Sequence, residues 1–245
     1  MNLENSWIIA AKDLKSFIRK RTVIYTTVLL PLLLSILFPL IIEITGRKSG
    51  GIPAAALPQL LNAFAFFYVI IPAIIPTPIA SYSIVGEKVE KSLEPLLATP
   101  TTDGEILLGK SIAAFLPAIV ATYAGATIFM ALMDSITFSK LGYLYYPNWG
   151  IGLILLILAP LAALLSVEMS VIASARVNDV RSASQLGGLM LLPFMGIYLA
   201  GEIGLISLDT TNLLIIAAVL AALNLILFRI STATFRREEI LTKWK

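Results

Sequence analysis

The chain has 245 residues, 58% of them apolar and 13% charged, with a formal net charge of +3. A soluble domain of this length carries about 25% charged residues, so the missing charge points to a lipid solvent. Cysteine and histidine are both absent, which excludes disulfides, thiolate nucleophiles and Cys- or His-ligated metals, and with them the usual chemistry of membrane proteases.

The predicted fold is an all-α membrane protein: an N-terminal interfacial amphipathic helix, six transmembrane helices and a short helix in a cytoplasmic loop. In the first segment, 1–21, Leu3, Trp7, Ala11, Leu14 and Ile18 recur at helical spacing, with Lys12, Asp13, Lys15, Arg19 and Lys20 on the other side. This pattern suits a helix lying in the membrane interface; a merely basic flank that fixes orientation is the alternative. The segment is not expected to be a cleaved signal. Apolar runs of about 20 residues then place spans at 22–44, 57–85, 106–133, 149–173, 185–206 and 212–228. The chain divides into spans one and two (22–85), a polar loop (86–105), spans three to six (106–230) and a tail (231–245).

Lysine and arginine set the orientation, because cytoplasmic loops retain positive charge. With the N-terminus inside, the inner segments hold 15 of the 18 basic residues, and the outer loops hold only Arg47, Lys48 and Lys140. A multi-pass protein of the cytoplasmic membrane with both termini cytoplasmic is expected. In span two, Pro72, Pro76 and Pro78 each remove a backbone donor and force a kink. The kinks either make the span flexible or are simply absorbed by packing.

The loop from 87 to 110, EKVEKSLEPLLATPTTDGEILLGK, is the long charged segment between apolar runs. Val89, Leu93, Leu96 and Leu97 share one helical face, and Glu87 and Lys91 form an i, i+4 pair. Pro95 is compatible with a helix that starts anew at Ser92, with Leu93, Glu94 and Pro95 in its first turn. A helix over 93–98 is expected, ended by Pro100. Thr102 and Glu105 form a capping box that opens span three. Three leucines on one face of a loop need either lipid headgroups or a partner's groove. Gly104, Gly109, Lys110 and Ser111 also match a phosphate-loop pattern. That pattern requires a strand before it, whereas residues 105–108 begin an apolar helix, so a nucleotide site is not expected.

The loop resembles the first cytoplasmic loop of permeases in the type-2 ABC exporter family. The matching residues are Glu87, Lys88, Ser92, Leu93, Glu94, Leu96, Leu97, Thr99, Pro100, Glu105, Gly109 and Lys110; Lys91 stands where glycine is frequent. Residues 174–185 are also similar to the corresponding second inner loop. The resemblance implies a permease that works as a homodimer or close heterodimer with a soluble ABC ATPase. It further implies a coupling helix in which Glu87, Lys88, Ser92, Leu93, Glu94, Leu96, Leu97 and Pro100 meet that ATPase. ATP and Mg are then expected on the partner chain, with no cofactor on this one, no catalytic residue and no nucleic-acid partner. Six spans and short loops fill these 245 residues, so the ATPase is expected on a separate chain.

Acidic residues in the apolar runs are functional candidates. Glu43, Glu168 and Glu202 all fall near the membrane boundaries, which weakens a proton-driven carrier. Glu168, with Arg176 or Arg181, is a possible inner gate; snorkelling to the headgroups is the alternative. Residues 201–212 suit either a reduced re-entrant helix or a frayed helix end. The expected function is an ATP-driven exporter of a hydrophobic or amphipathic substrate (lipid or drug-like) or an ion. The rival is an ATP-independent channel or ion-coupled carrier.

Overall fold

The computed structural model describes residues 2–48, 52–89, 101–177 and 179–234, and among them every regular element is helical. In chain order these are α1 (Leu3–Arg19), α2 (Arg21–Lys48), α3 (Leu57–Ile74), α4 (Pro76–Val89), α5 (Asp103–Leu141), α6 (Trp149–Leu153), a π-helical turn (Ile154–Leu158), α7 (Ala159–Arg176), α8 (Val180–Gly188), α9 (Leu191–Glu202) and α10 (Thr210–Thr234). Six stretches are long and apolar enough to cross a membrane: Ile24–Gly46, Leu57–Glu87, Asp103–Leu141, Trp149–Ser174, Val180–Glu202 and Thr210–Ser231. They coincide with the six expected spans. The third is longer than expected, at 39 residues, or about 58 Å at 1.5 Å per residue. A hydrocarbon layer is about 30 Å thick, so α5 projects beyond it.

The kinked second span is the centre of the bundle. In its most apolar stretch 78% of the residues are buried, against 17% in each of spans five and six, so neighbouring helices surround the break. Pro76 offers no N–H to the Pro72 carbonyl and Pro78 none to Ile74, and the helix divides at Ile75 between α3 and α4. Below the break, α4 and α7 run side by side in fixed register. Thr77 Oγ1 lies 2.9 Å from Ser166 Oγ, and Ser174 Oγ donates to Ser81 O (2.8 Å) and accepts from Val85 N–H (3.1 Å). Gly187 of α8 closes this seam, since an added Cβ would overlap Ser170 Oγ. Small and hydroxylated side chains are what lets helices approach closely in lipid.

Span four carries a second backbone irregularity. Through Ile154–Leu158 the amides bond five residues back, as Ala159 N–H does to Ile154 O. In that register the donor for Leu155 O would come from residue 160, a proline. The Tyr123 hydroxyl of α5 donates to Leu155 O instead, at 2.8 Å, so the freed carbonyl is satisfied within the bundle. Residues 203–209 form a turn and no re-entrant helix. Gly204 sits at φ 78, and Asp209 caps α10 through Asn212 N–H at 2.9 Å.

Candidate functional site

One side of α1 is buried: Ser6, Ile9, Ala10, Asp13 and Phe17, at helical spacing. This face rests on α5, where Gly109 lets the two helices meet. A Cβ at position 109 would lie 2.6 Å from Ser6 O and 2.9 Å from Ile9 Cβ. The apolar stripe that suggested an interfacial helix is on a different side, with Leu3, Trp7 and Ile18 more than half exposed. So α1 has two apolar faces, one against the protein and one free to meet lipid. Asp13 does not share the solvent side with the lysines. It turns inward because a buried cation waits for it.

That cation is Lys110, one turn beyond the capping box and fully buried. Its Nζ donates to Ser83 O (2.6 Å) and Glu87 Oε2 (2.7 Å) and lies 3.5 Å from Asp13 Oδ2. Lys12 Nζ reaches the other oxygen of Glu87 at 2.8 Å and Asp13 Oδ1 at 3.6 Å. Two ammonium groups thus face two carboxylates, and the cluster is formally neutral. Partial burial works against the charge on Lys12, but the hydrogen bond and attraction of Glu87 prevail and raise its pKa above the ordinary lysine value. The four residues come from α1, α4 and α5, so the cluster ties three elements at one point.

A second tie lies on the far side of the same loop. The capping box at Thr102 and Glu105 is formed, with Glu105 N–H to Thr102 Oγ1 at 3.3 Å and Thr102 N–H to Glu105 Oε2 at 3.1 Å. The Glu105 carboxylate also accepts from Asn2 N–H (2.5 Å) and Asn5 Nδ2 (3.3 Å) at the start of α1. Glu87 just before residues 90–100 and Glu105 just after them are therefore both held by α1.

Of the expected loop residues, Glu87 is in the cluster and Lys88 lies within α4. Ser92, Leu93, Glu94, Leu96, Leu97, Pro100 and the expected helix over 93–98 lie outside the described residues. Residues 104–111 are helical, as expected of a false phosphate-loop match. Glu168 is buried, and its Oε2 has no hydrogen-bond partner. The structure does not pair it with Arg181, which is exposed at the start of α8, just after the Asp179 N-cap. The side chain of Arg176 is outside the described set. Asn224 Nδ2 of α10 donates to Leu161 O of α7 at 3.0 Å.

The roles of Asp13 and Lys12 are not evident in the loop sequence. The signal for Lys110 was present: a lysine inside the opening turns of an apolar span requires partners.

A family model described as an ABC-2 family transporter protein matches residues 7–239. The chain belongs to that family. It is a multi-pass membrane subunit of an ABC transporter, a transport component and not itself a catalytic one. A search of curated proteins returned no match. In this ABC-2 permease the two ties flank the polar loop singled out from sequence. Gly109→Leu is expected to lift α1 from α5, because Ser6 O belongs to backbone and cannot swing aside. Limited proteolysis would show it as faster cleavage between α1 and α2 than in the native chain, with α5 unchanged.

Proposed function

We propose that this permease is the membrane half of an ATP-driven exporter, pairing with a second permease copy (or a close homologue) and with a soluble ABC ATPase on a separate polypeptide. The ATPase docks on the 86–105 loop through Leu93, Leu96 and Leu97, with Ser92, Glu94 and Pro100 shaping the helix and Glu87 and Lys88 at its entry. ATP and Mg are held by the ATPase, and this chain binds no nucleotide. The basic residues concentrated at the Lys110 end support a cytoplasmic position for that end and for both termini.

The observation that carries this reading is the clamp on both sides of the loop. A push on residues 90–100 enters a buried ionic cluster at Glu87 and, at Glu105, a carboxylate that accepts three hydrogen bonds, and both lead to α1 and α5. Such a joint transmits displacement because its alternatives leave charges unpaired in a low-dielectric site. The Glu87 side also continues into α4, which ends at the proline break of the central span. Glu168 suits an inner gate that opens when α7 separates from α10 and its unpartnered oxygen gains a new neighbour. The apolar spans favour a hydrophobic or amphipathic cargo.

The test is a mild-detergent pull-down of the tagged chain with identification by mass spectrometry. A soluble ATPase at near-equal amount is expected. A chain that purifies alone, folded and oligomeric, would overturn the reading in favour of a channel or carrier.

A further inference from the structure

Where α1 ends and α2 begins, three consecutive cations, Arg19, Lys20 and Arg21, lie in the chain between Ile18 and Ile24, which line an apolar crevice. The crevice has a volume of about 370 Å³ and is lined by residues of α1 and α2 such as Ile18, Val28 and Leu32, by Ile79 of α4, and by Val120 and Ala124 on α5. Its walls are apolar apart from Thr27, yet it opens sideways: Ile18, Val28 and Val120 are 65%, 38% and 60% exposed. From Arg21 to Leu32 the helix rises about 16 Å, which is close to half of a 30 Å hydrocarbon layer. The crevice therefore has the depth of one leaflet.

Arg19 and Arg21 are exposed, Lys20 lies 4.1 Å over the Tyr82 ring, and α2 has no acidic residue in its first turn. The amide end of α2 and the carbonyl end of α1 meet here, so their partial charges offset and the three side chains set the sign. An apolar slot one leaflet deep beneath a patch of this sign matches one class of molecule, an amphiphile with a fatty chain and an anionic head.

We propose that the crevice holds one acyl chain of an anionic phospholipid of the inner leaflet, with the lipid phosphate seated on Arg19, Lys20 and Arg21. The proposal rests on the orientation proposed above, and it needs no ATPase. The lipid completes the surface between α1 and α2 and anchors the end of α1 opposite the Glu105 tie.

The test is native mass spectrometry of the full chain in detergent, after delipidation and add-back of phosphatidylglycerol or phosphatidylcholine with the same chains. Retention of phosphatidylglycerol is expected to exceed that of phosphatidylcholine by at least about tenfold, since each basic residue near a membrane surface attracts anionic lipid appreciably. Replacing all three cations with glutamine should remove the preference. Ala124→Phe, which fills the crevice from an exposed position, should lower retention of both lipids. Both variants must elute with the native oligomer on size exclusion. Equal retention of the two lipids, or a preference untouched by the triple change, would overturn the proposal. So would cross-linking of Val120→Cys to a second copy at full occupancy, because the occupant of the crevice would then be protein. Failure here leaves the ATPase pull-down unaffected, so the two readings fall separately.

Discussion

Lys110→Met is expected to destabilise the joint between α1, α4 and α5 by about 3–5 kcal/mol, the usual cost of removing one partner from a buried ion pair. The magnitude follows from what is left behind. Glu87 Oε2 and Asp13 Oδ2 lose a cation at 2.7 and 3.5 Å, Ser83 O loses its donor at 2.6 Å, and Lys12, with half its side chain exposed, can neutralise only one carboxylate. Adding Glu87→Gln to Lys110→Met removes the surplus charge and should recover part of the loss, so the double-mutant cycle gives a coupling term of more than about 1 kcal/mol. Denaturant unfolding in detergent is the measurement. Additive single losses would mean that the two groups act independently.

Leu93→Asp combined with Leu96→Asp is expected to uncouple ATP hydrolysis from transport while membrane insertion stays normal. Burying a leucine in a partner's groove contributes about 1.5–3 kcal/mol, and a carboxylate in the same place is unfavourable in its own right. Two such changes should weaken ATPase docking by at least on the order of 100-fold. Transport in vesicles would fall by a similar factor, whereas hydrolysis by the free ATPase would continue. Normal transport by the double variant would rule out docking through this leucine face.

Much of this arrangement is legible in the sequence because lipid imposes simple rules. A run of apolar residues about 30 Å long has to be a helix, so the six spans read directly. Thr102 and Glu105 carry a local signature, and the capping box forms as that signature requires. The long-range pairings are different. Asp13 sits on the polar side of α1 when that helix is considered alone, and its choice between solvent and interior depends on Lys110, 97 residues away. Gly109 reads as part of a spurious phosphate motif until Ser6 is seen against it. The π turn in span four follows from Pro160, but its tolerance depends on Tyr123 arriving from α5. Each of these depends on two distant segments meeting, which periodicity within one segment does not report.

The chain contains no cysteine, so one introduced thiol can be labelled without background. A single Ser92→Cys substitution provides one unique attachment point at the start of the expected coupling helix, and a short photoreactive cross-linker placed there reports what the loop touches in native membranes. A covalent adduct to a soluble ATP-binding polypeptide is expected, with a yield that changes when ATP is added. Adducts to lipid alone, or to a second copy of this chain with no response to ATP, would contradict it.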